Sequence, residues 1–265
     1  MVLLIWTLLP IYHMCMMAVS PNAAVSKGHV WPDNPTLTNF LTVINEGEYH
    51  VSHFWRQLFN SVFVAFMTTL GVLAVGTMSS FAIARLRPRW ANALSNVALA
   101  TYVIPLSFLA IPMFKVMAVY HLLNTEWSLI IALIAFASPY AMWVFTQYAR
   151  SSIPAELDEA ARIDGADAWR LFARIFVPLM RPVLVAIGTY AMLLAWNEYL
   201  LAFLFLSSSQ TMTLPVALSG FVSGDLVPWN LLMATSLFYA VPPVVVYYLF
   251  RRHVTSGLTA GGVKA

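Results

Sequence analysis

WSLIIALIAFASPYAMWVFTQY, from Trp127 to Tyr148, decides the fold of this chain. It contains no Asp, Glu, Lys or Arg, and from Leu129 to Ala137 apolar residues occupy successive positions. About 20 such residues are what a helix needs to cross a bilayer's hydrocarbon core. The amphipathic strands of an outer-membrane barrel would be apolar only at every second position, so that architecture is disfavoured. Comparable blocks recur, and the expected spans are 1–20, 58–84, 93–113, 127–148, 183–206 and 229–250. The predicted fold is an all-α, polytopic integral membrane protein with about six transmembrane helices in a single domain, 1–265.

Composition agrees with that pattern. The chain is 60% hydrophobic and 9% charged, against about 25% charged residues in an ordinary soluble domain. The first block, 1–20, has no basic flank and is longer than the apolar core of a signal peptide, so it reads as a span. A chain that starts inside a span leaves room for a short tail ahead of Met1. Cys15 is the single cysteine, which excludes an intrachain disulfide or a thiolate metal cluster.

Orientation follows from the 14 Lys and Arg residues. Arg85, Arg87, Arg89, Arg150, Arg162, Arg170, Arg174, Arg181, Arg251, Arg252 and Lys264 fall on one side, and only Lys27, Arg56 and Lys115 on the other. The positive-inside rule then predicts both termini in the cytoplasm. The formal net charge of +3 is a topological signal and calls for no nucleic-acid partner.

The long hydrophilic stretch on the cytoplasmic side, 149–182, carries a regular pattern. Ser152 is expected to cap a helix that has Pro154 near its start and Glu156 and Asp158 by its positive end. Gly165 offers the positive φ that helix ends favour. A second helix, from about Ala168 to Phe176, is expected to be capped by Asp167 and closed by Pro178. Ala160 and Ala161 form a small-residue patch that lets a partner surface approach, so the elbow reads as a docking element.

Glu159, Ala160, Ala161, Gly165, Ile175, Val177 and Pro178, at this spacing, resemble the EAA loop of ABC importer permeases; Val177 replaces the usual Leu conservatively. Two further stretches resemble the smaller permease of maltose-type carbohydrate importers. They are Trp196, Asn197, Glu198 and Tyr199, and the tail with Gly257, Leu258, Thr259, Gly261 and Gly262. The resemblance covers nearly the whole chain and implies a type I importer permease of a bacterial inner membrane. Its implied partners are a second homologous permease, two cytoplasmic ATPase subunits, an extracytoplasmic sugar-binding protein and membrane lipid. It also implies that the elbow fits a cleft in an ATPase and that the tail reaches between the two ATPases; a frayed terminus is the plain alternative for the tail.

The chain itself is not expected to be an enzyme. None of its three lysines (after Ser26, Phe114 and Val263) follows a glycine, so no phosphate-cradling loop is present. ATP and Mg are therefore expected on the partner ATPase, with no cofactor and no metal in this chain. His50 and His53, near Glu46 and Glu48, read as an interfacial segment or a landing surface rather than a metal site. The loop from Ser207 to Trp229 reads equally as a connector or a face toward a binding protein.

Within the spans, Glu198 is the expected intramembrane carboxylate, roughly 22 Å along the helix from Val183. Trp196, Asn197, Glu198 and Tyr199 are candidate pathway residues, offering aromatic faces and hydrogen-bonding groups to a sugar. Glu198 serves equally well as a link between helices. Thr101, Tyr102, Ser107, Ser138, Tyr140, Tyr190 and Ser236 either line a path or tie helices together. Gly76, Ser80 and Ala84 read as a close helix crossing, and Pro105, Pro112, Pro139, Pro242 and Pro243 as kinks. The rival reading is an ion-coupled secondary transporter of a small polar solute, against which the missing internal repeat argues. An intramembrane enzyme would need a base, and His13 and His121 lie only near span ends.

Overall fold

A computed structural model describes residues 2–21, 31–32, 34–224 and 226–259, without the side chains of 2 and 252–259. Twelve helices are described. They are α1 (Val2–Ala18), α2 (Thr38–Ile44), α3 (Phe54–Phe81), α4 (Ala91–Thr101), α5 (Leu106–Val119) and α6 (Glu126–Ser152). The rest are α7 (Glu156–Ile163), α8 (Ala168–Leu179), α9 (Arg181–Trp196), α10 (Leu200–Phe205), α11 (Leu214–Gly220) and α12 (Trp229–Thr259). No strand occurs among the described residues.

Tyr49–Leu86, Glu126–Ser152 and Trp229–Arg251 are long and apolar enough to cross a bilayer singly. Two bent pairs pass the same test, and α1 adds a shorter apolar helix. Two expected spans prove discontinuous. Over 93–113 the chain turns by 98° between α4 and α5. Ile104 precedes Pro105, whose ring disfavours helical backbone at the residue before it, so α4 stops and a new helix starts with Pro105 as its cap. Hydropathy cannot register this, because both arms are apolar. Over 183–206 the helix breaks at 197–199, between α9 and α10. Pro112, Pro139, Pro242 and Pro243, by contrast, lie inside continuous helices.

The core is a three-helix contact in which α3 packs on α6 and α9, with α12 against α9 and α1. In lipid, helix association depends on close van der Waals approach, which small residues permit. Gly76, Ser80, Ala137, Ala141, Ala149, Ala191 and Ala195 are buried at these crossings. A Cβ on Gly76 would lie 3.1 Å from the Ala141 Cβ and 3.1 Å from the Phe145 ring. Hydroxyls within the spans mostly bond back into their own helix: Thr69 to the Ala65 carbonyl at 2.7 Å, Thr146 to Met142 at 2.7 Å and Ser236 to Leu232 at 2.7 Å. Such groups are satisfied without a partner helix. On α3, Phe59, Val62, Phe66 and Leu70 are exposed three and four positions apart, one apolar stripe that suits lipid or another membrane chain.

At the other end of the bundle, the segment after α10 is strapped down. Asn124 Oδ1 accepts from Ser207 N at 3.1 Å, Ser208 N at 3.0 Å and Thr211 Oγ1 at 2.6 Å, and Asn60 Nδ2 donates to the Gln210 carbonyl at 2.8 Å.

Candidate functional site

The elbow 149–182 is a pair of short helices held against the ends of α3 and α6. Ser152 does not cap α7, because α6 continues through it; the turn is made by Ile153, extended at φ −118, and Pro154. Ala155 occupies the cap position with no side-chain bond to the helix. Gly165 has φ +79, a conformation an L side chain resists. Asp167 caps the following helix through Oδ1, which accepts from Arg170 N at 2.7 Å. That helix ends at Leu179, one residue past Pro178, and bends by 75° into α9. A wide π turn over Phe172–Phe176 lies directly ahead of Pro178, where a regular turn would meet the ring.

The elbow has two faces. Inward, Ala161, Ala166, Phe172 and Ile175 pack on the buried cluster that contains Phe81, Phe145 and Ala149. Phe81 meets Phe172 at 5.3 Å and Phe176 at 5.2 Å, edge to face. The Arg85 side chain, 5% exposed, pairs its Nε with Asp158 Oδ2 at 3.2 Å and donates from its terminal nitrogen to the Ile153 carbonyl at 2.9 Å. One guanidinium thus joins the end of α3, the exit from α6 and helix α7. Outward, Glu159 and Ala160 are exposed, flanked by Ile163 at 87% and Trp169 at 66% exposure. Large apolar side chains at that exposure, on an otherwise charged loop, are a surface suited to a protein partner.

The spacing that singled out Glu159, Ala160, Ala161, Gly165, Ile175 and Pro178 therefore distributes them by task. Glu159 and Ala160 face out, Ala161 and Ile175 face in, and Gly165 and Pro178 shape the turns. Sequence reasoning missed Arg85, Ile163 and Trp169. Arg85 counted only toward topology, and the signal for the other two was their apolar character on either side of Gly165.

Of the pathway candidates, Trp196 is 2% exposed, and its ring stacks on Tyr239 with centroids 5.3 Å apart. The Tyr239 hydroxyl donates toward the Trp196 carbonyl at 3.0 Å and Asn197 Oδ1 at 3.1 Å. Glu198 sits in the break between α9 and α10, where Oε1 accepts from Leu201 N at 2.8 Å. Tyr199 is exposed and lines a cleft of about 610 Å³ with Tyr49, His53 and Gly220. His50 pairs with Glu48 at 2.9 Å and rests on Phe221. Among the flagged polar residues, Tyr102, Tyr140 and Tyr190 converge. Tyr140 lies 5.3 Å from each of the other two rings, and the Tyr102 and Tyr190 hydroxyls are hydrogen-bonded. Gly257, Leu258 and Thr259 close α12, while Gly261 and Gly262 lie outside the described residues.

The Glu198 geometry makes a prediction. Glu198→Gln keeps an acceptor oxygen for Leu201 N and leaves thermal stability and uptake unchanged, whereas Glu198→Leu orphans that donor and lowers stability by about 1–3 kcal/mol. Thermal unfolding of both variants, with uptake measured alongside, checks this. A Gln variant that folds normally but does not transport would instead assign the carboxylate to the pathway.

Comparison with known proteins brings these features together. The family model described as "Binding-protein-dependent transport system inner membrane component" matches residues 67–259. The chain is 32% identical over 263 residues, 98% of its length and 92% of the relative's, to the inner membrane ABC transporter permease protein YcjP of Escherichia coli. It is 30% identical over 261 residues, 98% of its length and 93% of the relative's, to the trehalose transport system permease protein SugB of Mycobacterium tuberculosis. A chain of a crystallised bacterial ABC transporter involved in import of the acidic polysaccharide alginate superposes with TM-score 0.81 at 22% identity, over 95% of this chain and 92% of that one. That likeness shows a shared fold.

Proposed function

The chain belongs to the binding-protein-dependent transport system inner membrane component family, and from that premise we propose that it is the permease subunit of an ATP-driven importer of carbohydrate. The two-faced elbow carries this reading: an exposed apolar and acidic surface on one side, and on the other a buried anchor reaching the ends of α3 and α6. Relatives named for trehalose, arabinooligosaccharide and trehalose/maltose transport support carbohydrate as the substrate class.

In the proposed assembly, two ATPase subunits hold ATP and Mg at the cytoplasmic face, and one of them receives Glu159, Ala160, Ile163 and Trp169. A second permease completes the pathway, and an extracytoplasmic binding protein delivers the sugar. Both termini are placed in the cytoplasm, an orientation that the distribution of Lys and Arg supports. Closure of the ATPases moves α7, and because α7 is tied to α3 and α6, the motion turns the cavity outward; hydrolysis resets it. Gly257, Leu258, Thr259, Gly261 and Gly262 are proposed as a second ATPase contact, and Asn197, Tyr199 and the Tyr102, Tyr140 and Tyr190 cluster as pathway groups, with Glu198 holding the break between α9 and α10.

Affinity purification of the tagged chain from its membrane, followed by mass spectrometry, tests the assembly. An ATPase and a second permease are expected with the native chain. Gly165→Val forces a β-branched residue into a left-handed conformation at a cost of about 1–2 kcal/mol, and Glu159→Lys reverses the exposed charge; both are expected to lose the ATPase and abolish uptake while keeping the second permease. A chain recovered alone that transports in liposomes without ATP would sink the reading in favour of ion-coupled transport.

A further inference from the structure

We propose that the cytoplasmic end of the groove between α3, α4 and α6 binds an anionic phospholipid, headgroup against arginine and acyl chain along the helices. The inference uses only the orientation assigned above and is independent of the transported substrate.

Two adjoining cavities carry it. The first, of about 780 Å³, lies where α3, α4 and α6 end, and its walls include Arg87, Arg89, Asn92, Arg150 and Ser151. Arg85, also on the wall, is committed to Asp158. Arg150 donates to Asn92 Oδ1 at 2.8 Å, and among the described residues Arg87, Arg89 and Arg150 have no carboxylate within ion-pair distance. Glu156 is the one carboxylate on the wall, against these three guanidiniums in number. Such a cavity selects phosphate or another compact anion.

The second cavity, of about 550 Å³, shares Ile83 and Pro88 with the first and continues between the helices past Leu94, Ala98 and Met142 to Ile134. From Arg150 back to Ile134, α6 rises about 24 Å, well into a bilayer's hydrocarbon core of about 30 Å. A charged chamber at the level where spans end, opening into an apolar groove that runs into the hydrocarbon level, matches an amphiphile. A free phosphate would leave the groove unused, and an apolar segment of another chain would leave the arginines unpaired. Trp90, 77% exposed beside Arg89, is placed as an interfacial anchor at the same level. Basic pockets between spans on the cytoplasmic side are a recurrent way to hold anionic headgroups.

Native mass spectrometry of the purified complex with dioctanoyl phosphatidylglycerol, dioctanoyl phosphatidylcholine or inorganic phosphate tests the proposal. The native complex is expected to retain the glycerol lipid over the choline lipid by at least about tenfold. Combining Arg87→Gln, Arg89→Gln and Arg150→Gln, all at exposed positions, removes that preference, and Leu94→Trp at the groove wall reduces retention of both lipids. Equal retention of the two lipids by the native complex, or an unchanged preference in the triple variant, overturns the proposal. Displacement of the glycerol lipid by inorganic phosphate with no effect of Leu94→Trp identifies a free-anion site and rejects the lipid. Loss of lipid binding only when the second permease is present assigns the groove to that chain and rejects it equally.

Discussion

Arg85→Ala is expected to abolish uptake while leaving the other subunits bound. Arg85 is 5% and Asp158 14% exposed in their side chains, so removing the guanidinium leaves a nearly buried carboxylate and an unpaired Ile153 carbonyl. Breaking a buried pair from one side costs about 3–5 kcal/mol. Even the lower figure is a factor of about 100 in the equilibrium between a held and a released α7. The outward surface of the elbow is untouched, so the ATPase still docks, but its motion no longer reaches α3. In liposomes the signature is ATP hydrolysis without substrate movement. Arg85→Asp with Asp158→Arg restores the charge pair but not the bond to Ile153, so it recovers only part of the uptake lost in either single variant. Arg85→Lys, with one donor centre in place of a fork, falls between. Wild-type uptake by Arg85→Ala, with hydrolysis still stimulated by substrate, would remove the pair from the transmission path.

Gly76→Leu is expected to prevent accumulation of a folded chain. At this crossing even a Cβ meets the Ala141 Cβ at 3.1 Å and two Phe145 ring atoms at 3.1 and 3.2 Å. Neither neighbour has a flexible end that can swing clear, so the cost falls on the spacing of α3 and α6. Overpacking of this kind costs about 1–3 kcal/mol, and a leucine has three more carbons to place. Gly71 is the informative contrast. A Cβ there would fall 2.2 Å from Ile134 Cδ1, closer still, but that atom is the far end of a side chain that can change rotamer. Gly71→Ala is therefore expected to be milder than Gly76→Leu, and Ala141→Gly to rescue part of the Gly76→Leu defect. Thermal unfolding in detergent ranks the variants; a Gly76→Leu midpoint equal to the native one would show the crossing to be looser than the distances imply.

The Gly76 stripe was legible in the sequence because close helix approach in lipid leaves few residue choices. Gly71 was not, because it stands five residues before Gly76, outside the four-residue spacing that Gly76, Ser80 and Ala84 share. The elbow divides the same way. The positive φ at Gly165 and the Asp167 cap are local properties of the backbone, readable from residue type and position. The expected Ser152 cap failed because α6 continues through that residue, whereas α8 ends at Leu179, one residue past the expected stop at Pro178.

The sequence alone determined the solvent of this protein, its helical class, the location of the elbow and which side carries its positive charge. Each depends on composition or short spacing, which tertiary contacts cannot alter. Only the tertiary structure decided the break around Glu198, the burial of Trp196 under Tyr239 and the capture of Asp158 by Arg85. These depend on which helix faces which across separations of many residues. An apolar run has the same hydropathy whether the chain goes straight or bends, and an arginine the same charge whether it meets water, lipid or a carboxylate.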